Sequence, residues 1–262
     1  EFFEGERGQS FLANLTEDQK LDFLRFDGNA MGFRMLTHSK PKLTRSTGGL
    51  GLTYPTLAAF SKYPCSATSI QDAESCASRK KAGLFSSSVD VCSKIAAALD
   101  LPKTAGTAWA RHPLAFLTEA ADDISYTVVD LEDGHRHGLV NCGQVTTLLR
   151  RIADVHMSDD DKSNLGNLMH PQDKIGYLRA KAINSLVCQV VRVFMANLER
   201  LLEGTYNEPL IDQIESASDL EKVRSVSKDS IYSHRTILQI EAAGFQVIPG
   251  LLDMFLSALA SP

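Results

Sequence analysis

The chain has 262 residues, of which 44% are hydrophobic, enough to bury one sizeable core. Its formal net charge of -5 argues against broad electrostatic attraction of nucleic acid, so an anionic partner would need a local basic site. Five scattered cysteines without a C-x-x-C pair support neither a disulfide framework nor a zinc ribbon, and they favour a reducing, cytoplasmic environment. We find no apolar run of about 20 residues and no targeting signal, and we therefore expect a soluble chain without a membrane segment.

Helical patterns recur along most of the chain, whereas strand patterns are scarce. Thr16 and Gln19 have the spacing of a capping box, which predicts the start of a helix. Pro55 marks the first turn of another predicted helix. The segments SSVDVCSKIAAALDL and GQVTTLLRRIADV both show the apolar periodicity of amphipathic helices.

The second half of the chain continues the helical pattern. We predict a charged loop at HMSDDDKSNLGN, then one long helix over residues 173–203 that ends at Gly204. The apolar tail predicts two helices separated around residues 244–249, where glycine and proline interrupt the pattern. The sequence therefore predicts an all-α fold of about ten helices, with residues 1–262 forming a single helical domain.

One segment, EAADDISYTVVDLEDG at residues 119–134, carries six carboxylates and no lysine or arginine. At about 100° per residue, its acidic residues share one arc with Tyr126, and apolar residues occupy the opposite arc. The ordinary interpretation is a solvated acidic face. However, like charges one turn apart destabilise a helix by a few tenths of a kcal/mol each, and the segment offers no cation to offset them. A divalent metal ion is the second interpretation.

The run RHPLAFLTEAADDISYTVVDLEDG resembles the hallmark segment of the deoxyguanosine triphosphate triphosphohydrolase family, which belongs to the HD-domain superfamily. Further stretches resemble the same family in chain order: FDGNAMGFRMLT, GLGLTYPTLAAFSKYP, KKAGLFSS, YLRAKAINSLV and YSHRTILQIEAAGFQVIPGLLDMF. The resemblance covers essentially the whole chain. It implies an HD-domain-like helical fold and hydrolysis of a dNTP, with dGTP the expected substrate, to a deoxynucleoside and inorganic triphosphate.

The resemblance also implies roles for particular residues. Asp122 matches a metal ligand, for Mg²⁺ or Mn²⁺. Tyr126 and Asp130 match residues that contact the dNTP around its phosphates and sugar. The remaining matches are implied contacts to the phosphates, sugar or base: Asn29, Lys62, Tyr63, Lys80 or Lys81, and Glu241. The resemblance further implies a homo-oligomer, and it leaves open an effector role for single-stranded DNA or a dNTP.

The sequence departs from the family at one important point. None of its seven histidines is followed by aspartate, so the family's His and His-Asp motifs are missing. We expect these motifs to lie in an N-terminal portion outside this chain, which would leave its catalytic site incomplete and its catalytic groups unassigned. The alternative is a non-catalytic helical module that binds nucleotide or assembles subunits. A phosphohydrolase of cyclic or mononucleotides is disfavoured by the match at Lys62, Tyr63 and Tyr126.

Two other kinds of site are disfavoured by the residues themselves. His135 and His137, two positions apart on a helix, point to different faces, so favourable charge at a helix C-terminus explains them better than a metal site does. The sequence also has no G-x-S-x-G motif or comparable context around its serines and cysteines, so covalent catalysis is unsupported.

Overall fold

The computed structural model describes residues 2–38, 49–70 and 77–260, and most of them are helical. This confirms the predicted all-α, HD-domain-like fold class. The α-helices of the described residues are α1 Glu6–Leu12, α2 Glu17–Leu24, α3 Gly28–Thr37, α4 Tyr54–Phe60, α5 Val89–Ala98, α6 Pro113–Arg136, α7 Cys142–Ala153, α8 Asp159–Asn167, α9 Pro171–Ala196, α10 Leu198–Leu202, α11 Ala217–Val226 and α12 Arg235–Ala260. A π-helical segment, Ser227–Tyr232, follows α11.

The chain divides into two compact units. The first comprises Glu1–Glu119, Asn197–Pro209 and Pro249–Pro262. Its core is built on α3, α4 and α5, where Phe33, Leu57 and Ile95 cluster with Trp109. A small antiparallel sheet pairs β1 (Lys103–Ala105) with β2 (Ala108–Trp109), and Lys103 lies opposite Trp109. The sheet leads directly into α6.

The second unit comprises Ala120–Ala196 and Leu210–Ile248. The helices α7 and α9 pack together along their length and supply much of its buried apolar surface. The part of α6 that lies in this unit buries Ile124, Val128 and Leu131, while Asp122 and Tyr126 are exposed. The predicted two-faced character of this helix is therefore confirmed. The prediction of one domain for residues 1–262 stays a prediction.

Local signals predicted several elements correctly. The capping box at α2 is formed on both sides, because Gln19 N donates to Thr16 Oγ1 at 3.4 Å and Thr16 N donates to Gln19 Oε1 at 3.0 Å. Pro55 lies in the first turn of α4. Gly204 follows α10 with a φ of 71°, the left-handed conformation that favours glycine after a helix.

Two predictions in the middle of the chain were wrong. The stretch predicted as a charged loop contains α8, which begins with a second capping box between Ser158 and Asp161. Acidic residues in the first turn of α8 also interact favourably with the helix dipole, so caps and charge form this helix without an apolar stripe. The predicted helix over 173–203 is interrupted at Asn197, whose backbone leaves the helical region between α9 and α10.

The apolar tail also differs from the prediction. It forms one helix, α12, which continues through Gly244 and Pro249. Both residues are tolerated inside a helix at an energetic cost, and here they do not end it. By length and composition alone α12 could cross a membrane, which corrects the expectation that no segment is apolar enough. A single helix that meets these criteria is weak evidence, so a membrane role does not follow.

Candidate functional site

In the first unit, Glu119 on α6 is shared by two cations. Arg111 Nη1 donates to Glu119 Oε2 at 2.6 Å, and Lys62 Nζ lies 3.1 Å from Glu119 Oε1. Lys62 comes from the loop after α4, and Arg111 follows β2. The negative charge of the acidic segment is therefore partly compensated, because two cations from outside the segment neutralise Glu119.

Arg111 is the most enclosed member of this cluster, with a side chain only 2% exposed. Its Nη2 donates to the carbonyl of Ala77, and its guanidinium lies 5.5 Å from the ring centroid of Tyr63 and 5.1 Å from that of Phe116. Its Nε has no hydrogen-bond partner among the described residues. Stacking on two rings and pairing with a carboxylate compensate for its desolvation. Arg111 therefore fixes Glu119, which in turn holds Lys62.

Tyr63, which was predicted to contact the nucleotide, packs beneath this cluster. Its ring is buried and belongs to a small apolar cluster with Cys65 and Ala108. Lys62 Nζ lies 5.8 Å from the centroid of the same ring. The structure therefore brings Lys62 and Tyr63 together with two residues that the sequence analysis did not assign, Arg111 and Glu119.

A second cluster in the first unit joins two other predicted residues through Asp27. Asn29 donates to Asp27 Oδ1 from its backbone N at 2.8 Å and from Nδ2 at 2.6 Å, and Lys81 Nζ lies 3.5 Å from Asp27 Oδ2. Burial raises the pKa of Asp27, but the bonds from Asn29 and the charge of Lys81 outweigh it and hold the pKa below its ordinary value. Lys80 is exposed on the adjoining loop.

In the second unit, Tyr126 and Asp130 meet a third residue, Tyr232. The Tyr232 hydroxyl donates a short hydrogen bond to Asp130 Oδ2, and the two tyrosine rings stack with centroids 6.4 Å apart and planes 26° apart. Burial, then the bond to Asp130, raises the pKa of Tyr232 well above its ordinary value. Tyr126 remains 61% exposed and Asp130 half-buried, so both are open to a ligand.

Asp122 and Glu241 lie apart from these contacts. Both are exposed, Asp122 one turn before Tyr126 on α6 and Glu241 on α12. Within the described ranges, no three His, Cys, Asp or Glu side chains are grouped so that they could hold a metal ion. Because Mg²⁺ and Mn²⁺ take several ligands, mostly oxygen, the described residues alone do not fit such an ion, and Asp122 as a ligand stays a prediction.

Four residues of these clusters were missed by sequence reasoning: Arg111, Glu119, Asp27 and Tyr232. Each lies inside a stretch that resembles the family, so a signal was present, but nothing in the local sequence reveals its partner. The Tyr232–Asp130 bond joins residues 102 positions apart. The Arg111–Glu119 pair joins the end of a strand to the second turn of a helix.

The helical architecture fits the HD-domain-like fold class. Comparison with known proteins gives the family. The chain is 36% identical over 248 residues to a deoxyguanosinetriphosphate triphosphohydrolase-like protein of Synechocystis sp., and 31% identical over 260 residues to one of Pseudomonas aeruginosa. A deoxyguanosinetriphosphate triphosphohydrolase of Salmonella paratyphi A is 29% identical over 264 residues.

These matches cover 92%, 98% and 95% of this chain but only 54%, 57% and 50% of the respective relatives. The chain therefore spans about half the length of the curated relatives it matches. No family model matches it. Over the length that the chain shares with these relatives, the predicted resemblance to the deoxyguanosinetriphosphate triphosphohydrolase family is confirmed.

Proposed function

We propose that this chain supplies the nucleotide-contacting part of a dNTP triphosphohydrolase, an enzyme that converts a dNTP, dGTP foremost, to a deoxynucleoside and inorganic triphosphate. The observation that carries the proposal is the ion pair between Lys62 and Glu119, whose carboxylate is also paired with the buried Arg111 at the start of the acidic segment. The names of the relatives support the same chemistry. On this proposal the two clusters of the first unit bind phosphate.

The shared carboxylate gives Lys62 a physical route to phosphate binding. Lys62 is 27% exposed, so its ammonium can reach solvent and a bound anion. When Lys62 turns to a phosphate oxygen, Glu119 keeps its closer partner, Arg111, and no buried carboxylate is left unpaired. Lys62 can therefore leave Glu119 for a phosphate oxygen while Arg111 still neutralises the carboxylate. Lys81, which pairs loosely with Asp27, can do the same.

The second unit supplies the proposed sugar contacts. The exposed ring of Tyr126 is suited to pack against a deoxyribose, and Asp130 retains lone pairs that can accept a hydrogen bond from a sugar hydroxyl. Metal dependence, on Mg²⁺ or Mn²⁺, is also proposed, with Asp122 as one ligand. The roles given to Lys62, Tyr126 and Asp130 do not depend on that ion.

Equilibrium titration of the chain with dGTP tests the phosphate role. We expect Lys62→Ala to weaken binding about tenfold, since a hydrogen bond to a charged group contributes roughly 1.5–3 kcal/mol. Lys103→Ala is the matched control, because Lys103 is an exposed lysine of the same unit, and it should bind as the wild type does. Equal affinities of the two variants for dGTP would show that Lys62 does not contribute to phosphate binding.

Release of triphosphate, measured with Mn²⁺ and with Mg²⁺, tests the reaction. With each metal ion that supports triphosphate release by the wild-type protein, Asp122→Asn should abolish that release. Unchanged release would show that Asp122 is not a metal ligand. Binding of dGTP without any release, both by this chain and by the protein extended upstream, would favour the alternative of a non-catalytic nucleotide-binding module. A homo-oligomer, as the resemblance implies, would appear as a concentration-dependent species in sedimentation velocity.

A further inference from the structure

The π-helical segment Ser227–Tyr232 packs against α6 at Gly134. A Cβ atom added to Gly134 would lie 2.4 Å from Ile231 Cδ1, so glycine leaves the space that the Ile231 side chain fills against α6. The segment is closed by a wide-turn bond from Ser233 N to Lys228 O at 3.1 Å. Single π-helical turns are rare and are found disproportionately at functional sites.

This packing places Tyr232 against the two residues of α6 that the proposed function assigns to the sugar. Its hydroxyl donates to Asp130 Oδ2 and its ring stacks on that of Tyr126. The bond engages Oδ2 of the carboxylate, and Oδ1 is a second oxygen that can accept a hydrogen bond from a ligand. The stack covers one face of the Tyr126 ring, while 61% of Tyr126 stays open.

We propose that Tyr232 is a positioning residue that sets the Asp130 carboxylate and the Tyr126 ring in advance for the deoxyribose of the nucleotide. The inference rests on the proposed function, because it assigns Tyr232 to the same site. A flexible carboxylate and a free ring would have to be ordered during binding, and Tyr232 removes that cost beforehand. The raised pKa of Tyr232 keeps its hydroxyl protonated, so that the donation persists across the physiological range.

The sugar role is tested by comparing two ligands, dGTP and inorganic tripolyphosphate. Tyr232→Phe keeps the ring and loses only the hydroxyl, so we expect it to weaken dGTP binding about tenfold. Binding of tripolyphosphate, which has no sugar, should not change. Tyr177→Phe is the matched control, since the Tyr177 hydroxyl also donates to an aspartate of the second unit, Asp161, at 3.0 Å. That variant should bind both ligands as the wild type does.

Nitration by tetranitromethane, mapped by mass spectrometry, tests the contact without any nucleotide. The exposed ring of Tyr126 should be nitrated in the wild type, whereas the hydrogen bond to Asp130 should protect Tyr232. In Asp130→Ala, nitration of Tyr232 should be several-fold faster. Nitration of Tyr232 as fast as Tyr126 in the wild type would overturn the contact.

The outcomes also separate the inference from the proposed function. Wild-type affinity of Tyr232→Phe for dGTP, or an equal loss for dGTP and tripolyphosphate, would overturn the sugar-positioning role alone. Failure of the wild-type chain to bind either ligand would instead overturn the proposed function, and the sugar role with it. In that event the nitration result would still decide whether Tyr232 holds Asp130.

Discussion

The Arg111–Glu119 pair gives the most direct test of how the first unit is held together. Replacing Glu119 with alanine would leave the guanidinium of Arg111 with one hydrogen bond, to the carbonyl of Ala77, and with the faces of two aromatic rings. The side chains of Arg111 and Glu119 are only 2% and 10% exposed, so water cannot easily take the place of the lost carboxylate.

The size of the effect follows from this burial. Removing one partner of a buried ion pair typically costs about 3–5 kcal/mol, because the other charge stays desolvated and unpaired. Lys62 adds little to this loss, since it is partly exposed and an exposed pair is worth about 0–1 kcal/mol. We therefore expect Glu119→Ala to lower the free energy of unfolding of the first unit by about 3–5 kcal/mol.

The assay uses the only tryptophan of the chain, Trp109, which is 7% exposed in the core of the same unit. Its fluorescence during urea denaturation reports the unfolding of the unit that contains the pair. Lys20→Ala is the control, because it removes an exposed pair between Lys20 and Glu17 in the same unit and should change stability by about 0–1 kcal/mol.

A double variant, Arg111→Met with Glu119→Met, separates charge from packing. If the unpaired charge causes the loss, removing both charges should restore most of the stability, with a coupling energy of about 2 kcal/mol or more. Two results would refute the reasoning: a loss below about 1 kcal/mol for Glu119→Ala, or a double variant no more stable than the single one.

Three further predictions follow from single groups. The pKa of Asp27 is lowered in the folded state, so its charged form stabilises the fold above about pH 4, and this contribution is lost as pH falls through the folded-state pKa. The difference in unfolding free energy between wild type and Asp27→Asn should therefore narrow on acidification. A difference that stays constant with pH would contradict this prediction. Burial, then the neighbouring Cys65, raises the pKa of the Cys92 thiol to about 12, so Cys92 should react with Ellman's reagent only in urea. Among the cysteines of the described residues, exposed Cys188 should react first, and Cys188→Ser should remove its contribution to the fast phase. Gly83→Ala should destabilise the first unit strongly, because its Cβ would lie 1.8 Å from the carbonyl oxygen of Tyr63, whereas Gly176→Ala within α9 meets no atom and should stabilise by about 0.5–1 kcal/mol in thermal unfolding.

Elements governed by local chemistry were the ones that the sequence predicted. The capping box of α2 and the apolar stripe of α7 each depend on residues three or four positions apart, which a sequence displays directly. The error at α8 came from giving apolar periodicity more weight than the Ser158–Asp161 cap. The error at α12 came from treating Gly244 and Pro249 as helix ends, although a helix can continue through both.

The candidate site was only partly visible for a different reason. The resemblance identified Lys62, Tyr126 and Asp130 as residue types at matching positions, but the side chains that hold them come from distant parts of the chain. Arg111 reads as an ordinary surface cation until burial and ring stacking are known. Tyr232 acquires a role only because the fold brings it against Asp130 and Tyr126 of α6.

The orientation of α12 has a consequence for the behaviour of the chain in solution. Its polar edge meets α1, where Arg7 donates to Asp253 at 2.5 Å and to Ser257 at 2.9 Å, while Phe245, Ile248 and Phe255 are exposed. Wherever water contacts these apolar side chains, their hydration free energy is unfavourable. Excluded salts such as ammonium sulfate will raise that cost, so the chain should precipitate at low salt saturation and bind tightly to phenyl resin. Mild detergent binds exposed apolar side chains, so adding it should keep the chain in solution.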